Sequence, residues 1–449
     1  MTSGLQSFGR ATRPAAAALP AAEAVAGFTS GRLRKRMLLA YGNGRSYGDS
    51  CQSASGTVID MRGLTGIVAF DPVTGVIEAN AGTMLPDIIA HAAPHGYFPA
   101  VVPGTQFVTL GGAIANDIHG KNHHRQGTFG RHVESLKLMR SDGRVYLCSP
   151  KRNAALFSAT VGGMGLTGLI LSARVRLMKV ASLDVAEQAI PFRNLSDYFD
   201  LAEAIDRDNE YAVAWIDQLA SGARAGRGVL LAGNHAEEGA RQATTPGRRL
   251  AVPFQPPLNV LNRPFLTLFN AAYHRAKTRS AARRVTAYQS FFFPLDGVRD
   301  WNRLYGPRGL FQHQSAVPLE AARSAIPELL ATTREAGQGS FLTVLKRFGD
   351  VASPGVLSFP RPGYTLTLDF PNRGTATLAL LERLDAITLA AGGAVNPYKD
   401  ARMSAEAFEA SFPRWRELET QRDPAFLSAF WERTAERLVS RQRHVAAAE

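Results

Sequence analysis

The chain has 449 residues, more than one hydrophobic core usually holds, so two domains are expected. Its 45% hydrophobic and 20% charged residues are typical of a folded enzyme and exclude a disordered chain. The net charge of +13 would suit nucleic acid, anionic lipid or phosphorylated molecules. No recognisable nucleic-acid module accompanies that charge, and we expect no nucleic-acid partner.

Cysteine usage and hydropathy bear on the compartment. The two cysteines, Cys51 and Cys148, cannot form a disulfide framework and fit a reducing environment. The sequence contains no run of 18 apolar residues, so no transmembrane helix is predicted, and we expect no signal peptide. We therefore expect a cytoplasmic protein.

The first 181 residues predict short strands separated by Gly-rich turns, as in an α+β domain. A helix is predicted from Leu85 to His95, and Gly96 closes it. Strands are predicted at 58–61, 66–70, 75–79 and 169–177.

From about residue 181 to 393 the pattern changes. Helices are predicted over 197–208, with Ser196 as N-cap, and over 320–336. The stretch 234–285 has no regular hydrophobic periodicity, which predicts a mobile segment outside the regular elements. Strands are predicted at 212–216, 228–232, 342–345 and 364–368, and further helices at 405–412 and 424–443.

The most informative segment is residues 104–124, GTQFVTLGGAIANDIHGKNHH, which combines glycines and small residues with few charges. Glycine lets the backbone approach a ligand because no Cβ intervenes. Successive N–H groups beside small residues can bind phosphate. The segment therefore predicts the lining of a large cofactor.

A second segment, residues 40–50, AYGNGRSYGDS, follows the apolar run 37–39 and predicts a strand that opens into a Gly-rich turn. Its glycines, serine hydroxyl and arginine suit a diphosphate. Residues 44–48 also match G-x-S-x-G, the nucleophile elbow of hydrolases. An elbow needs a helix directly after it, whereas loop-forming residues follow here, which disfavours a hydrolase.

Two other patterns leave alternatives. Residues 163–168 match G-x-G-x-x-G, but a dinucleotide fingerprint must open a helix and 169–175 alternates like a strand. A tight packing turn is the favoured interpretation. His119 and His123 are spaced as in some zinc sites, yet no third ligand is evident, and we expect no metal.

Together these segments resemble the flavin-binding family of vanillyl-alcohol oxidase and p-cresol methylhydroxylase. Within it, the likeness is close to the decaprenylphosphoryl-β-D-ribose 2′-oxidases of arabinan precursor synthesis. GRSYGD at 44–49 and GGAIANDIHGKNHH at 111–124 carry the resemblance. It continues at 160–168, 301–307 and 398–400, and so spans nearly the whole chain.

The resemblance implies an α+β fold with a p-cresol methylhydroxylase-type FAD-binding domain and an antiparallel-sheet substrate domain. The implied bounds are 1–181 for the FAD-binding domain, 182–393 for the substrate domain, and 394–449 for a return to the first domain. FAD is expected to bind without a covalent bond. The expected cofactor-binding residues are Gly42, Asn43, Gly44, Arg45, Ser46, Tyr47, Gly48, Gly104, Thr109, Leu110, Gly111, Gly112, Asn116, Asp117, Ile118, His119 and Ile170.

The resemblance makes Lys399 the leading catalytic candidate, because a lysine beside flavin can stabilise negative charge; without it, a surface Lys–Asp pair would be the favoured interpretation. The resemblance adds Tyr47 and His119 to hold the ring and the sugar, and His119 is the favoured proton acceptor. Gln312 and Gln314 alternate as on a strand, so both amides are expected on one side. The expected substrate-binding residues are Gln312, Gln314, Lys346, Thr367 and Lys399.

This chain departs from the pattern of the related oxidases at three places. Thr367 stands where the mycobacterial-type proteins have a cysteine beside the flavin, Asn116 replaces another cysteine, and Asn396 replaces a tyrosine. The threonine has a similar size but no thiol. We therefore expect turnover without that thiol.

The implied reaction is oxidation of the 2′-hydroxyl of a polyprenyl-phosphoryl ribose, and a partner short-chain reductase would complete an epimerisation. An oxygen-using sugar or aldonolactone oxidase of the same fold is the alternative enzyme. A noncatalytic flavoprotein or a nucleic-acid-binding protein is the alternative outside enzymes. Apolar residues at 260–269 and basic residues at 275–284 also predict peripheral contact with an anionic membrane.

Overall fold

The computed structural model describes residues 5–12, 17–33, 36–53, 56–243, 250–256, 260–279, 283–340 and 342–446. Two predicted features fall partly outside these residues: the mobile segment at 234–285 and the basic stretch at 275–284. The described residues form two sheet-based parts, and the predicted two-domain α+β fold is confirmed. The predicted domain bounds stay a prediction.

The first part of the chain builds a five-stranded antiparallel sheet of order β4-β5-β9-β7-β8 among its described residues. Beside it, β1 and β2 flank β3 in a small parallel sheet. The strands are β1 (Ala17–Pro20), β2 (Leu38–Tyr41), β3 (Thr57–Asp60), β4 (Ile67–Asp71), β5 (Val76–Asn80), β6 (Tyr97–Phe98), β7 (Val133–Met139), β8 (Val145–Cys148), β9 (Leu169–Arg176) and β10 (Met178–Lys179).

The second part builds an antiparallel sheet whose described strands run β15-β11-β13-β12-β18-β19-β17-β20. The last of these lies just past the predicted domain bound at 393. The strands are β11 (Val185–Phe192), β12 (Tyr211–Ile216), β13 (Gly228–His235), β14 (Leu250–Ala251), β15 (Arg284–Thr286), β16 (Val298–Arg299), β17 (Leu310–Val317), β18 (Val344–Phe348), β19 (Gly363–Pro371) and β20 (Ala394–Val395).

Helices surround both sheets, and α6, α9 and α10 cover one face of the second sheet. The helices are α1 (Ala21–Thr29), α2 (Leu85–Ala92), α3 (Leu110–Ala115), α4 (His123–Gln126), α5 (Ala154–Thr160), α6 (Leu195–Asp208), α7 (Arg263–Arg279), α8 (Tyr288–Phe292), α9 (Leu319–Glu335), α10 (Thr375–Ala390), α11 (Ala405–Ser411), α12 (Trp415–Gln421), α13 (Ala429–Arg433) and α14 (Ala435–Ala446). Among the described helices, none is long and apolar enough to cross a membrane.

Three predicted elements were wrong in part. Asn194 caps α6 by accepting from the Asp197 amide, so Ser196 is not the N-cap. The predicted mobile segment at 234–285 contains the long helix α7, whose period is weak because mainly Leu266 and Asn270 are buried. The continuous helix predicted at 424–443 is broken into α13 and α14.

The C-terminal helices pack against the first part of the chain. The Leu38 amide donates to the Ala425 carbonyl (2.7 Å), and the Leu427 amide donates to the Leu38 carbonyl (2.9 Å). Leu39 and Leu166 lie in the same hydrophobic cluster as Trp415. The chain therefore returns to its beginning after the second sheet.

Candidate active site

The second sheet has one apolar and one polar face where β17, β18 and β19 meet. The pairings Gln312 with Asp369, Gln314 with Thr367, and Lys346 with Thr365 place these side chains on one face. The alternate residues pack into the core with α6, α9 and α10. The prediction that both glutamine amides face one side is confirmed.

Residues 42–48 form a loop after β2, as the sequence predicts, and no helix follows directly. Gly44 has φ +59°, and a Cβ there would lie 2.0 Å from the Tyr41 hydroxyl. A Cβ on Gly48 would lie 1.5 Å from the Asp400 carbonyl oxygen. These two glycines are therefore required by contacts within the protein.

The second Gly-rich segment lies against this loop, because Asn43 Nδ2 donates to the Phe107 carbonyl (2.8 Å). Thr109 caps α3 by accepting from the Gly112 amide (3.1 Å). Gly104 is exposed, and a Cβ there would meet nothing within 4 Å. The segment thus combines an ordered backbone with open space beside Gly104.

Arg45 lies between the two loops, with its guanidinium 5.5 Å from the Phe8 ring centroid and 5.6 Å from that of Phe107. Its Nε is buried and has no hydrogen-bond partner among the described residues. Burial lowers the pKa of Arg45, although Asp296 opposes the shift. An unsatisfied cation beside open backbone fits a large anionic cofactor.

Three predicted cofactor residues have side chains committed elsewhere. The Asp117 carboxylate accepts from the Gly130 amide (2.8 Å) and from the hydroxyls of Ser353 and Ser358. Burial raises the pKa of Asp117. The side chains of Leu110 and Ile170 lie in the hydrophobic core of the first part of the chain. Any contact with a cofactor from these three would therefore come from the backbone.

His119 reaches the polar face of the second sheet. Its Nε2 lies 3.2 Å from the Gln314 amide nitrogen, and its ring packs edge-on against Phe348 with 5.0 Å between centroids. Burial, then the charges of Lys346 and Lys399, hold the pKa of His119 well below its usual range. These surroundings disfavour the predicted role of His119 as proton acceptor.

Lys399 lies on the 396–400 turn with its Nζ 5.6 Å from the Tyr47 ring centroid. Burial lowers the pKa of Lys399, and the charge of Asp369 opposes that shift. Burial raises the pKa of Tyr47, and Asp369 adds to the increase. The charge of one buried carboxylate, Asp369, therefore raises the pKa of both Lys399 and Tyr47.

That carboxylate, Asp369, was missed in the sequence. It is fully buried, Gln312 donates to its Oδ1, and its Oδ2 has no partner among the described residues. Burial raises its pKa. The alternation of Thr365, Thr367 and Asp369 along one strand is the signal that could have found it.

Two further lysines approach the same region. Lys346 donates to the Gly120 carbonyl (3.0 Å), and burial, then Lys399 and Lys121, lower its pKa to about 7. Lys121 donates to the Phe291 carbonyl, and burial lowers its pKa to about 7, although the charge of Glu187 opposes the shift. Positive charge therefore exceeds negative charge here.

Within the described residues, no group of His, Cys, Asp or Glu could hold a metal ion.

The structure thus brings one set of predicted residues to the polar face. These are Tyr47, His119, Gln312, Gln314, Lys346, Thr367 and Lys399. The remaining predicted cofactor residues lie on the two Gly-rich loops, on α3 with the turn that follows it, or in β9.

Comparison with known proteins agrees with this geometry. Residues 28–149 match a family model described as FAD binding domain. Decaprenylphosphoryl-β-D-ribose oxidase of Mycolicibacterium smegmatis is 35% identical over 413 residues, covering 87% of this chain and 86% of the relative. An uncharacterized protein of Streptomyces coelicolor is 36% identical over 363 residues, covering 77% and 96%. Cytokinin dehydrogenase 4 of Arabidopsis thaliana is 29% identical over 187 residues, covering 40% and 34%.

The fold, the site and these matches define an FAD-dependent oxidoreductase. The chain belongs to the family of FAD-linked oxidases that includes decaprenylphosphoryl-β-D-ribose oxidase. The expected cofactor, enzyme class and family resemblance are confirmed.

Proposed function

We propose that the protein oxidises the 2′-hydroxyl of a polyprenyl-phosphoryl ribose to a ketone, with noncovalent FAD as cofactor. The observation that carries this proposal is the convergence of Lys346 and Lys399 on a sheet face lined by amides and hydroxyls. Amides and hydroxyls suit a sugar, and buried lysines suit its phosphate. The 35% identity to an oxidase of that name supports the same substrate.

FAD, when bound, supplies a two-electron acceptor for the hydride that leaves the 2′-carbon. The backbone of 42–48 and 104–112 would hold its diphosphate, and Arg45 would offer its unsatisfied Nε. Tyr47 and Lys399 would adjoin its reactive end, because both lie beside the polar face. The substrate hydroxyl proton passes to solvent.

Each residue on the polar face has a separate part in this reaction. Lys399 keeps positive charge beside the reactive end of the cofactor, which would take up negative charge together with the hydride. Lys346 pairs with the substrate phosphate, and Gln312 and Thr367 hydrogen-bond the sugar. His119 acts as a neutral hydrogen-bonding group, because its lowered pKa prevents it from carrying charge at neutral pH.

The product would be a 2′-keto sugar, and a partner short-chain reductase would return it to an alcohol with inverted stereochemistry.

We further propose that the enzyme works in the cytoplasm, at the inner membrane face, where a polyprenyl tail is anchored. Phe265 on α7 is 45% exposed and Leu268 is 74% exposed, beside basic residues.

The membrane contact can be tested with vesicles containing anionic lipid. The variant Phe265→Ser/Leu268→Ser should lose flotation with these vesicles, because it removes exposed apolar area. The matched control is Val73→Ser, which changes a residue that is 85% exposed in another part of the molecule. Equal flotation of both variants would contradict the proposal.

The reaction can be tested by absorption spectroscopy of the purified protein. Anaerobic addition of a short-chain prenylphosphoryl ribose should bleach the flavin bands, and a dye acceptor should then be reduced. Bleaching by free sugars or lactones with oxygen uptake would instead identify the oxygen-using alternative. A protein that holds flavin but is bleached by neither would overturn the proposed substrate.

A further inference from the structure

A chain of side-chain amides connects the turn before Lys399 to His119. The Tyr398 backbone N–H donates to Asn396 Oδ1 (3.0 Å), and Asn396 Nδ2 donates to Gln314 Oε1 (2.8 Å). Gln314 Nε2 then lies 2.9 Å from Thr365 Oγ1 and 3.2 Å from His119 Nε2. Asn396 and Gln314 are both buried.

The direction of this chain follows from its first member. A backbone N–H can only donate, so the atom of Asn396 that faces it must be the carbonyl oxygen. The amide nitrogen of Asn396 then faces Gln314, which must present its oxygen there. Gln314 consequently presents its NH₂ group to His119, and His119 Nε2 must accept.

The rest of the His119 environment keeps this arrangement neutral. The ring packs against Phe348 and Phe359, and the charged or titratable groups that face it are Lys346, Lys399 and His123. None of these is an anion. A positive imidazolium is therefore disfavoured from every side.

We infer that Asn396 is a positioning residue, which acts through Gln314 to hold His119 as the Nδ1–H tautomer. His119 then contributes a hydrogen-bond donor at Nδ1, and its Nε2 cannot take a proton without losing the bond to Gln314. This inference rests on the proposed function for its role in the reaction. The tautomer itself depends only on residues of the chain.

The first test is the wild-type holoenzyme, with carbon-13 and nitrogen-15 labelled histidine observed by NMR. The signals of His119 are identified by their loss in His119→Gln. Ring chemical shifts should report the Nδ1–H tautomer at neutral pH. The Nε2–H tautomer or the doubly protonated ring would overturn the inference.

The second test uses Asn396→Asp to reverse the direction of the side-chain hydrogen bonds between residue 396 and His119. Its carboxylate accepts from the Tyr398 N–H but has no donor for Gln314. Gln314 should turn its NH₂ group toward residue 396 and its oxygen toward His119. His119 should then become the Nε2–H tautomer, and the added negative charge should raise its pKa. An unchanged Nδ1–H signal in this variant would overturn the inference.

Asn372→Asp is the matched control, because Asn372 donates to the Arg308 carbonyl and accepts from the Gly374 amide, away from His119. It should leave the His119 signals unchanged. The expected tautomers together with no oxidation of the ribose substrate would contradict only the proposed function. Full activity with the wrong tautomer would contradict only the inference.

Discussion

Two groups of buried charges meet at the turn that carries Lys399, one through Lys399 itself and the other through Asp400. In the first, the paired cluster, Arg433 donates to Asp49 (2.8 and 3.0 Å) and to Asp400 (2.6 Å), while Arg402 donates to Asp385. Although burial opposes the shift, His313 and Arg402 hold the pKa of Asp385 below its usual range. Each charge of this cluster has an opposite partner.

The second group, the site lysines, consists of Lys121, Lys346 and Lys399. Asp369 acts on Lys399 and Glu187 acts on Lys121, whereas the charges that act on Lys346 are those of the other two lysines. Burial lowers the pKa of all three lysines, and none is fully compensated. The ion pairs of the paired cluster can fix the position of the turn. Buried lysines that lack a full complement of carboxylates can instead bind an anion. The difference separates the residues that hold the site from those that act in it.

The largest expected effect is on stability, from breaking the paired cluster. Arg433→Met leaves Asp49 and Asp400 buried without their cation, so the free energy of unfolding should fall by about 3–5 kcal/mol. Urea unfolding measures this. The control is Arg323→Met, whose partner Asp200 is 63% exposed and whose loss should cost about 0–1 kcal/mol. Equal changes in the two variants would show that the paired cluster stabilises the protein no more than an exposed ion pair does.

Removing a site lysine should affect activity more than stability. Lys399→Met should lower kcat by about 10²–10³-fold, because the positive charge that would stabilise the electrons arriving with the hydride is lost. Its unfolding midpoint should not fall, since a buried and incompletely paired cation is removed. Steady-state kinetics and thermal unfolding test both, with exposed Lys151→Met as control. A kcat near that of the control would exclude Lys399 from the chemistry.

The site lysines also predict opposite pH trends for binding and stability. Lys346 has a pKa of about 7 in the folded protein against 10.5 for the free group, so the unfolded chain binds more protons between these values. Stability should rise over that range. Affinity for ribose 5-phosphate should fall by up to tenfold per pH unit, because the anion needs the protonated lysine. Calorimetry checks this, and equal affinity at pH 6 and pH 9 would contradict it.

The smallest expected effect concerns thiol chemistry at the polar face. Burial raises the pKa of Cys51 to about 12 and of Cys148 to about 11, so both thiols stay protonated at neutral pH. Thiol-directed reagents should leave the native protein unmodified, and Thr367→Cys should gain one adduct. Mass spectrometry decides this. A mass shift on Thr367 of the native chain would refute the prediction.

The sequence predicted what depends on local pattern. The alternation at Gln312 and Gln314 placed both amides on one face, and Gly-rich loops were expected where they occur. Lys399 was assigned a role only through the family resemblance, since a Lys–Asp pair also occurs on surfaces. Its burial is a property of the tertiary structure.

The rest depended on contacts between distant residues. Asp369 could not be separated from an exposed strand residue before its partner Gln312 was known. The amides that orient His119 come from segments at 314 and 396, which are far apart in sequence and meet through the pairing of β17 with β20. The long helix α7 was missed because a helix buried on so narrow a stripe has a weak hydrophobic period.

The contact between Gly48 and Asp400 has a consequence for protein engineering. The backbone at 48 touches the carbonyl next to Lys399, so the width between Tyr47 and Lys399 is set by main chain rather than by exchangeable side chains. A directed-evolution library that randomises position 48 should return almost only glycine. New substrates should instead be sought through residues such as Thr367, whose replacement leaves that spacing intact.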